Sequence, residues 1–297
     1  MNRLAAVAVS LRPRQWVKNL FVFAAVIFSQ NLLTPLVWPA LAAFVIFCGL
    51  SGAVYLINDV ADMERDRLHP VKRLRPVASG DLPKPAAAAL GALLLGASLA
   101  AAFALARPFG LVALGYGALL VAYSFWLKYV VILDVLTVAV GFVLRAVAGA
   151  EAVDVDISGW LIICTILIAL FLAVGKRRHE YLSLQGAAAG HRPILAEYSE
   201  GFLDQMIAVV TASTAMAYAL YTMWPETVAK FHTRLLPLTF PFVLYGIFRY
   251  LYLLYHRDLG GNPSDLLLSD RALLLNTLLW MATLIAIIYG RGWGLPW

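Results

Sequence analysis

The sequence is dominated by apolar runs that are long enough to cross a lipid bilayer and that follow one another along the whole chain. A membrane-spanning helix needs about 20 such residues. Here 62% of the residues are apolar and only 13% are charged, whereas about a quarter of the residues in soluble domains are charged. The predicted spans are residues 17–34, 36–57, 86–106, 109–127, 130–150, 158–175, 204–224, 236–255 and 271–290.

These spans predict an all-α fold, a polytopic membrane helical bundle of about nine transmembrane helices in which residues 1–297 form one domain. No run alternates with a period of two, so a barrel is not expected, and helices must satisfy the backbone groups in hydrocarbon. Cys48 and Cys164 fall within spans and the histidines are scattered, so we expect neither a disulfide nor a zinc site. The sequence does not determine the oligomeric state, and a homo-oligomer is compatible with it.

Lysine and arginine are distributed unequally between the two sides of the predicted bundle. Most of them lie before the first span or in the connections after the second, sixth and eighth spans, which are residues 58–85, 176–203 and 256–271. Positive charge marks the cytoplasmic side of membrane proteins. We therefore expect the N-terminus and these loops to face the cytoplasm from a cell inner membrane. The partners expected for the cations are membrane lipid and anionic substrates, not nucleic acid.

The second span continues into a segment with four oxygen-bearing side chains at helical spacing. With Asn58 at zero on a helix, Asp62 lies at about 40°, Asp66 at about 80° and Asp59 at about 100°. Carboxylates this close repel one another, and Mg²⁺ is typically held by one or two carboxylates together with substrate phosphates. The spacing predicts that these four residues bind a Mg²⁺–diphosphate complex. The alternative is a solvated helix end whose acids are placed at random.

Three cations, Lys72, Arg73 and Arg75, follow the acidic residues within a short distance along the chain. Pro70 is expected to end the helix before them. Arg and Lys side chains suit the outer phosphates of a metal-bound polyanion, and adhesion to anionic lipid is the alternative use. We predict an anion-binding role, most strongly for Lys72 and Arg75.

The acidic segment resembles the first aspartate-rich motif of the UbiA superfamily of intramembrane prenyltransferases, in the pattern Asn58-Asp59-x-x-Asp62-x-x-x-Asp66. Its continuation to Gly80 and the segment Leu11–Asn19 are similar to one branch, the decaprenyl-phosphate phosphoribosyltransferases. The resemblance covers most of the chain. It implies a UbiA-like bundle and implies that Lys18 and Tyr55 belong to the substrate site.

Prenyltransferases of this superfamily carry a second aspartate motif after the sixth span, where this chain is basic. The segment reads Gly175-Lys176-Arg177-Arg178-His179-Glu180. One acidic and one basic site favour two anionic substrates, such as phosphoribosyl diphosphate and a polyprenyl phosphate, so we predict that Lys176 and Arg177 bind substrate. The alternative is a local ion pair between Lys176 and Glu180, which are four residues apart.

Charged residues also occur within the fifth predicted span and just before it. Arg145 lies inside the span, where a charged side chain is costly and by default functional. Asp134 projects from nearly the same face about 16 Å away, so we expect the two residues to line one cavity. Lys128, before the span, is predicted to bind phosphate. Arg145 could instead reach the outer interface, but the family resemblance places an arginine here in the donor pocket.

The residues and the resemblance together predict a Mg²⁺-dependent phosphoribosyl transfer. The 5-phosphoribosyl group would move from phosphoribosyl diphosphate to a decaprenyl-type polyprenyl phosphate, releasing diphosphate, toward lipid-linked ribose or arabinose for cell-wall polysaccharide. One alternative is a prenyltransferase that moves an isoprenyl chain from an allylic diphosphate to an aromatic or quinone-precursor acceptor. A second is a non-enzymatic transporter, for which broken helices at the membrane midplane would be expected.

Overall fold

The computed structural model describes residues 2–183, 193–257 and 259–290, so the middle of the predicted loop 176–203 lies outside the described residues. Every regular element in the described residues is helical, which confirms the all-α fold. The α-helices are α1 (Arg3–Ser10), α2 (Ala24–Phe28), α3 (Val37–Leu68), α4 (Pro76–Ser79), α5 (Lys84–Leu105), α6 (Arg107–Phe125), α7 (Leu133–Val153), α8 (Gly159–Ser183), α9 (Glu200–Met223), α10 (Pro225–Phe231), α11 (Phe240–His256), α12 (Pro263–Ser269) and α13 (Arg271–Tyr289).

Eight helices in the described part of the chain are long and apolar enough to cross a membrane. They are α3, α5, α6, α7, α8, α9, the segment Leu236–His256 that contains α11, and α13. Large apolar side chains such as Val45, Leu93 and Leu275 stay exposed on these helices, which is the pattern of a surface that faces lipid. The chain is a multi-pass membrane protein with close to the predicted number of spans.

The first predicted span, 17–34, folds differently from the others. Residues Pro13–Phe23 form a 3-10 helix, and the short helix α2 follows it directly. Two polar residues, Lys18 and Asn19, interrupt the apolar run here. Asn19 is fully buried and donates a hydrogen bond of 3.1 Å to Ser51 of α3. The segment is therefore fastened into the bundle by polar contacts.

This 3-10 helix contacts both α3 and α7 and lies very close to α7 at Gly149. A Cβ atom at Gly149 would lie 1.9 Å from the carbonyl oxygen of Val22. Only glycine allows two backbones to come this close. The contact sets the depth of the 3-10 helix in the bundle, and hence the position of its polar side chains.

Two helices run past their predicted spans and carry the charged motifs. Helix α3 continues to Leu68 and includes the acidic residues, and α8 continues to Ser183 and includes the basic run. The extended end of α3 packs against the turn that follows it and against the 3-10 helix. The start of α7 packs beside the end of α8. The charged motifs therefore lie at one end of the bundle.

Candidate active site

The acidic residues occupy the last three turns of α3, beyond its most apolar part. The helix is continuous through this segment, so the spacing that places these residues on one face holds. The side chain of Asp62 is 19% exposed, Asn58 is half-buried, and Asp59 and Asp66 are buried. One face of α3 thus concentrates carboxylates; we call Asn58, Asp59, Asp62 and Asp66 the acidic face.

Two arginines from different parts of the chain reach the acidic face. Nη1 of Arg75 lies 2.6 Å from Oδ2 of Asp66 and 3.2 Å from Oδ1 of Asp59. Arg12 donates a hydrogen bond to the same oxygen of Asp59. The other oxygen of Asp59 is buried and has no hydrogen-bond partner among the described residues. Asp59 therefore binds both arginines and orients their side chains beside the acidic face.

The turn after α3 brings Arg75 back over the helix. Arg75 has an extended backbone, as expected for a residue before proline, and Pro76 then starts α4. Gly80 ends α4 with φ at 90°, a conformation that glycine adopts without strain. Lys72 is half-buried in the preceding 3-10 turn and Arg73 is exposed. Arg75 therefore contacts the acidic face directly, while Arg73 lies at the surface.

Lys128 reaches the acidic face from the 3-10 turn Leu127–Tyr129, which precedes α7. Its Nζ lies 2.6 Å from Oδ1 of Asp62 and 5.3 Å from the centre of the Tyr129 ring. Arg65 donates a hydrogen bond to the Tyr129 hydroxyl and lies 3.8 Å from Asp62. The structure thus brings Lys128 to the acidic face, and Tyr129, which sequence reasoning missed, contacts both cations.

Tyr55, which the family resemblance singles out, contacts Arg12 and not a carboxylate. The guanidinium carbon of Arg12 lies 4.6 Å from the centre of the Tyr55 ring, within the range of a favourable cation–π contact. Tyr55 therefore helps to hold Arg12 against Asp59. Sequence reasoning used Arg12 only for topology and for the resemblance of Leu11–Asn19, so its place in the site is a finding of the structure.

Arg145 is buried deeper in the bundle, among hydrogen-bond acceptors. Its Nε donates to Asn19 at 2.8 Å, its Nη2 to the Tyr116 hydroxyl at 2.6 Å, and its Nη1 to the Gly141 carbonyl at 2.8 Å. Lys18 lies on the adjacent 3-10 helix and is subject to the charges of Arg145 and Arg12. Arg145 thus links α7 to this helix.

Asp134 and Arg177, both predicted to bind substrate, are bound to each other. Nε of Arg177 lies 2.6 Å from Oδ2 of Asp134, and the Tyr198 hydroxyl donates to Oδ1 at 2.7 Å. Arg177 also pairs with Glu180 on the next turn of α8. The side chains of Arg177 and Asp134 are 3% and 0% exposed. The pair ties α7 to α8, and Asp134 and Arg145 have separate hydrogen-bond partners.

The rest of the basic run is also engaged. Nζ of Lys176 lies 3.8 Å from Oε1 of Glu180, which is the local pair that the sequence left open as an alternative. Arg178 pairs with Asp204 at 2.6 Å and with Glu200 at 3.0 Å on α9. Only Lys176 of the three cations has a largely accessible side chain, 41% exposed. The basic run therefore does not by its charge alone identify an anionic substrate.

The donor set of the acidic face fits Mg²⁺ that arrives with a substrate. Among the described residues there is no group of three or more His, Cys, Asp and Glu side chains that would hold a metal by itself. Mg²⁺ usually takes one or two carboxylates and completes its shell with water and substrate phosphate. Asn58, Asp62 and Asp66 supply such oxygens. Phosphate attracts the same Arg and Lys side chains that neutralise these carboxylates.

The fold and the site define a polytopic membrane protein with a candidate polyanion site at one end of its helical bundle. The chain belongs to the UbiA prenyltransferase family, which it matches over residues 19–269. It is a membrane-embedded transferase.

Two relatives match the chain over nearly the whole of both sequences. The decaprenyl-phosphate phosphoribosyltransferase of Mycolicibacterium smegmatis is 31% identical over 304 residues, which cover 97% of this chain and 94% of the relative. The protein of the same name from Corynebacterium glutamicum is 34% identical and covers 94% of this chain and 86% of the relative. The chain is thus similar to phosphoribosyltransferases within the family.

Solved structures share the fold. A UbiA homolog from Archaeoglobus fulgidus bound to GPP and Mg²⁺ has a TM-score of 0.74 at 20% identity, covering 95% of this chain and 99% of that one. A structure of digeranylgeranylglyceryl phosphate synthase has a TM-score of 0.60 at 18% identity, covering 98% and 99%. At these identities the likeness shows the UbiA-like arrangement of helices.

Proposed function

We propose that the protein transfers a 5-phosphoribosyl group from phosphoribosyl diphosphate to a decaprenyl-type polyprenyl phosphate and releases diphosphate. The observation that carries the proposal is the full-length similarity, at 31% and 34% identity, to proteins named decaprenyl-phosphate phosphoribosyltransferase. The candidate site supports it, because oxygen ligands and cations stand side by side there. Such a site suits a metal-bound diphosphate donor and an acceptor that is itself an anion.

In this proposal Asn58, Asp62 and Asp66 hold Mg²⁺ together with diphosphate oxygens of the donor. Bound Mg²⁺ would neutralise charge on the leaving diphosphate. The oxygen-donor set supports this assignment, and so does the solved UbiA homolog that contains Mg²⁺. Asp59 has a different role, since its hydrogen bonds to Arg12 and Arg75 keep these side chains beside the site.

The cations at the acidic face would shift from carboxylate to phosphate when the donor binds. Arg75 and Arg12 are 26% and 23% exposed, so an entering anion can reach them. Lys128 pairs with Asp62 and is only 7% exposed, so in this proposal an anion reaches it from the side of Asp62, which is 19% exposed. The remaining cations that we assign to the 5-phosphate and the lipid phosphate are Lys18, Lys72, Arg73 and Lys176. We assign Arg145 and the Asp134–Arg177 pair to holding the helices in place.

In the proposed reaction an oxygen of the lipid phosphate attacks the anomeric carbon of the donor. The bond between that carbon and the diphosphate oxygen breaks, and diphosphate leaves with the electron pair. No strong base is needed, because a phosphate monoester has a second pKa near 6 and is largely ionised at pH 7. The protein would contribute alignment and charge neutralisation.

The proposed location is the inner membrane, with the candidate site facing the cytoplasm. The site lies at the end of the bundle that carries most of the Lys and Arg residues outside the spans, and positive charge favours that side. The product would supply lipid-linked ribose or arabinose for cell-wall polysaccharide. Labelling of single cysteines placed at residue 73 and at residue 156 from each side of sealed vesicles tests the orientation.

Prenyl transfer is a second candidate, because the chain shares its fold with a UbiA homolog solved with GPP and Mg²⁺. The internal pairing of Arg177 and Arg178 removes one argument against this candidate. Both reactions use a diphosphate donor at an acidic face. They differ in what is attached to the diphosphate, a phosphorylated sugar or an allylic hydrocarbon.

Purified protein incubated with Mg²⁺ and labelled donors separates the two reactions. We expect label from phosphoribosyl diphosphate to appear in the lipid phase only when polyprenyl phosphate is present. An allylic diphosphate with an aromatic acceptor serves as the competing assay, and EDTA treatment serves as the metal control. No labelled sugar-lipid, together with transfer of the allylic chain, would overturn the proposal.

A further inference from the structure

Asp265 of α12 has a buried carboxylate oxygen and is connected to the candidate site through Asn262 and Gln15. Oδ2 of Asp265 accepts a hydrogen bond from the side-chain amide of Asn262. Oδ1 of Asp265 is buried and has no hydrogen-bond partner within the described part of the chain. A buried acceptor without a donor is unfavourable, so its retention calls for a ligand that donates to it.

The position of Asp265 follows from contacts between α12 and the 3-10 helix Pro13–Phe23. The side-chain amide of Gln15 donates to Oδ1 of Asn262 at 3.0 Å, so the chain of contacts runs from Gln15 through Asn262 to Asp265. Asp265 also exerts an electrostatic influence on Lys18. Gln15 and Lys18 are three residues apart, which is one turn of a 3-10 helix, so they lie on the same side of it.

Arg12 directly precedes this helix, three positions before Gln15, and contacts Asp59 of the acidic face. Three residues of a 3-10 helix rise about 6 Å, so Gln15, which holds Asn262, and Arg12, which holds Asp59, lie at the same end of this helix. Asp265 thus belongs to the neighbourhood of the acidic face and is a candidate contact for the group that is attached to a diphosphate bound there.

The chemistry of a carboxylate restricts what Asp265 can bind. An ionised phosphate repels it and offers no hydrogen to donate, whereas a hydroxyl group donates one. Asp265 also belongs to no group of three or more His, Cys, Asp and Glu side chains in the described part of the chain, so it is not part of a metal site made by the protein alone. Among the groups of phosphoribosyl diphosphate, the ribose hydroxyls are the hydrogen-bond donors. An isoprenyl diphosphate has no such group.

We infer that Asp265, held by Asn262 and Gln15, accepts a hydrogen bond from a ribose hydroxyl of the donor and so selects a ribosyl over an isoprenyl diphosphate. The inference rests on the proposed function. It gives a specificity role to a residue outside the acidic face. It also locates the choice between the two reactions of the family at α12, away from the basic run of α8.

The first test compares Asp265→Asn with the exposed Asp156→Asn at the other end of the bundle. The Asn side chain can still accept a hydrogen bond but lacks the charge, and replacing a charged acceptor by a neutral one is expected to raise the KM for phosphoribosyl diphosphate about 10-fold. Inhibition by Mg²⁺–diphosphate, which lacks the sugar, should stay unchanged. Equal loss of donor and diphosphate binding would overturn the inference, as would a KM equal to that of the control.

The second test uses only wild-type protein, so it remains informative even if Asp265→Asn does not fold. The wild-type protein is assayed with donors that lack the 2-hydroxyl or the 3-hydroxyl of ribose. We expect one of the two to raise KM about 10-fold or more, and equal use of all three donors would overturn the inference. If wild-type protein transfers no phosphoribosyl group at all, the proposed function has failed; if it transfers without discrimination, only this inference has failed.

Discussion

The acidic face of α3 and the Asp134–Arg177 pair are built from the same kinds of side chain but are held differently. At the acidic face Arg75 and Arg12 are 26% and 23% exposed, and one oxygen of Asp59 lacks a partner among the described residues. In the pair the side chains are 3% and 0% exposed, and both oxygens of Asp134 have donors. At the acidic face a ligand can therefore replace the partners of the charged side chains. In the Asp134–Arg177 pair, which is buried and fully hydrogen-bonded, it cannot.

This difference changes what the basic run of α8 means. From sequence alone, cations at the place of an expected acidic motif suggest a second anion site. In the structure Arg177 and Arg178 neutralise acids on α7, α8 and α9. Their charge is therefore used to join helices, and Lys176 is left as the accessible cation of the run. Burial and partners, more than charge, distinguish a binding residue from a structural one.

The largest expected effect on stability comes from breaking the buried Asp134–Arg177 pair. Arg177→Ala leaves the Asp134 carboxylate buried without a cation, which is expected to destabilise the protein by about 3–5 kcal/mol. Arg73→Ala, at an exposed position, is the control and should change stability little. Thermal unfolding in detergent measures both. An Arg177→Ala protein with wild-type stability but no activity would show that Arg177 is a substrate ligand after all.

A smaller effect is expected at the acidic face, and it should be reversible by ligand. Arg75→Ala removes the cation nearest to Asp66 and is expected to cost about 1–3 kcal/mol in Mg²⁺-free buffer. Mg²⁺ with diphosphate stabilises every folded variant that still binds it, so each variant is compared with wild type under the same conditions. The difference in unfolding temperature between Arg75→Ala and wild type should become smaller with Mg²⁺ and diphosphate, because the metal takes over the neutralisation of Asp66, whereas the difference for Arg177→Ala should stay. Differences that both stay unchanged would contradict the distinction between the two regions.

Lys176 is near the buried pair in sequence but is exposed, so it tests whether an exposed cation of the basic run binds substrate. Loss of its helical pair with Glu180 is expected to change stability by only about 0.2–0.5 kcal/mol. As a proposed phosphate ligand, Lys176→Ala should still raise the KM of one substrate about 10-fold, as for a lost charged hydrogen bond. Steady-state kinetics with each substrate varied in turn measures this. Unchanged KM values would show that Lys176 only forms its local ion pair with Glu180 and does not bind substrate.

The fold and the acidic face were largely predictable, because both depend on local spacing along the chain. The parts that were missed depend on residues far apart in sequence. Arg12 and Asp59 are 47 positions apart and Arg177 and Asp134 are 43 apart, and periodicity cannot pair such residues. The 3-10 form of the first predicted span was also missed, and its contact with Gly149 again joins residues far apart in sequence.

A small effect on stability, and none on substrate binding, is expected at Asp270, which caps α13. Its carboxylate binds Arg249 at 2.7 Å, and this hydrogen bond lowers the pKa of Asp270 below its ordinary value of 3.8. The pair therefore adds stability above that value and loses it as the pH falls through the lowered pKa. Asp270→Asn, which keeps a capping oxygen, should cost less than about 1 kcal/mol at pH 7. The difference from wild type should shrink below pH 3.8, as unfolding scans at several pH values would show.

The most direct test of the exchangeable acidic face is calorimetric titration of Mg²⁺ and diphosphate into wild-type protein and Asp62→Asn. Wild type should bind diphosphate more tightly with Mg²⁺ than without it. The variant, which keeps its shape but loses the charge of one ligand, should bind Mg²⁺–diphosphate about 10- to 100-fold more weakly. Equal affinity of the folded variant and wild type would contradict the assignment of the acidic face as the diphosphate site.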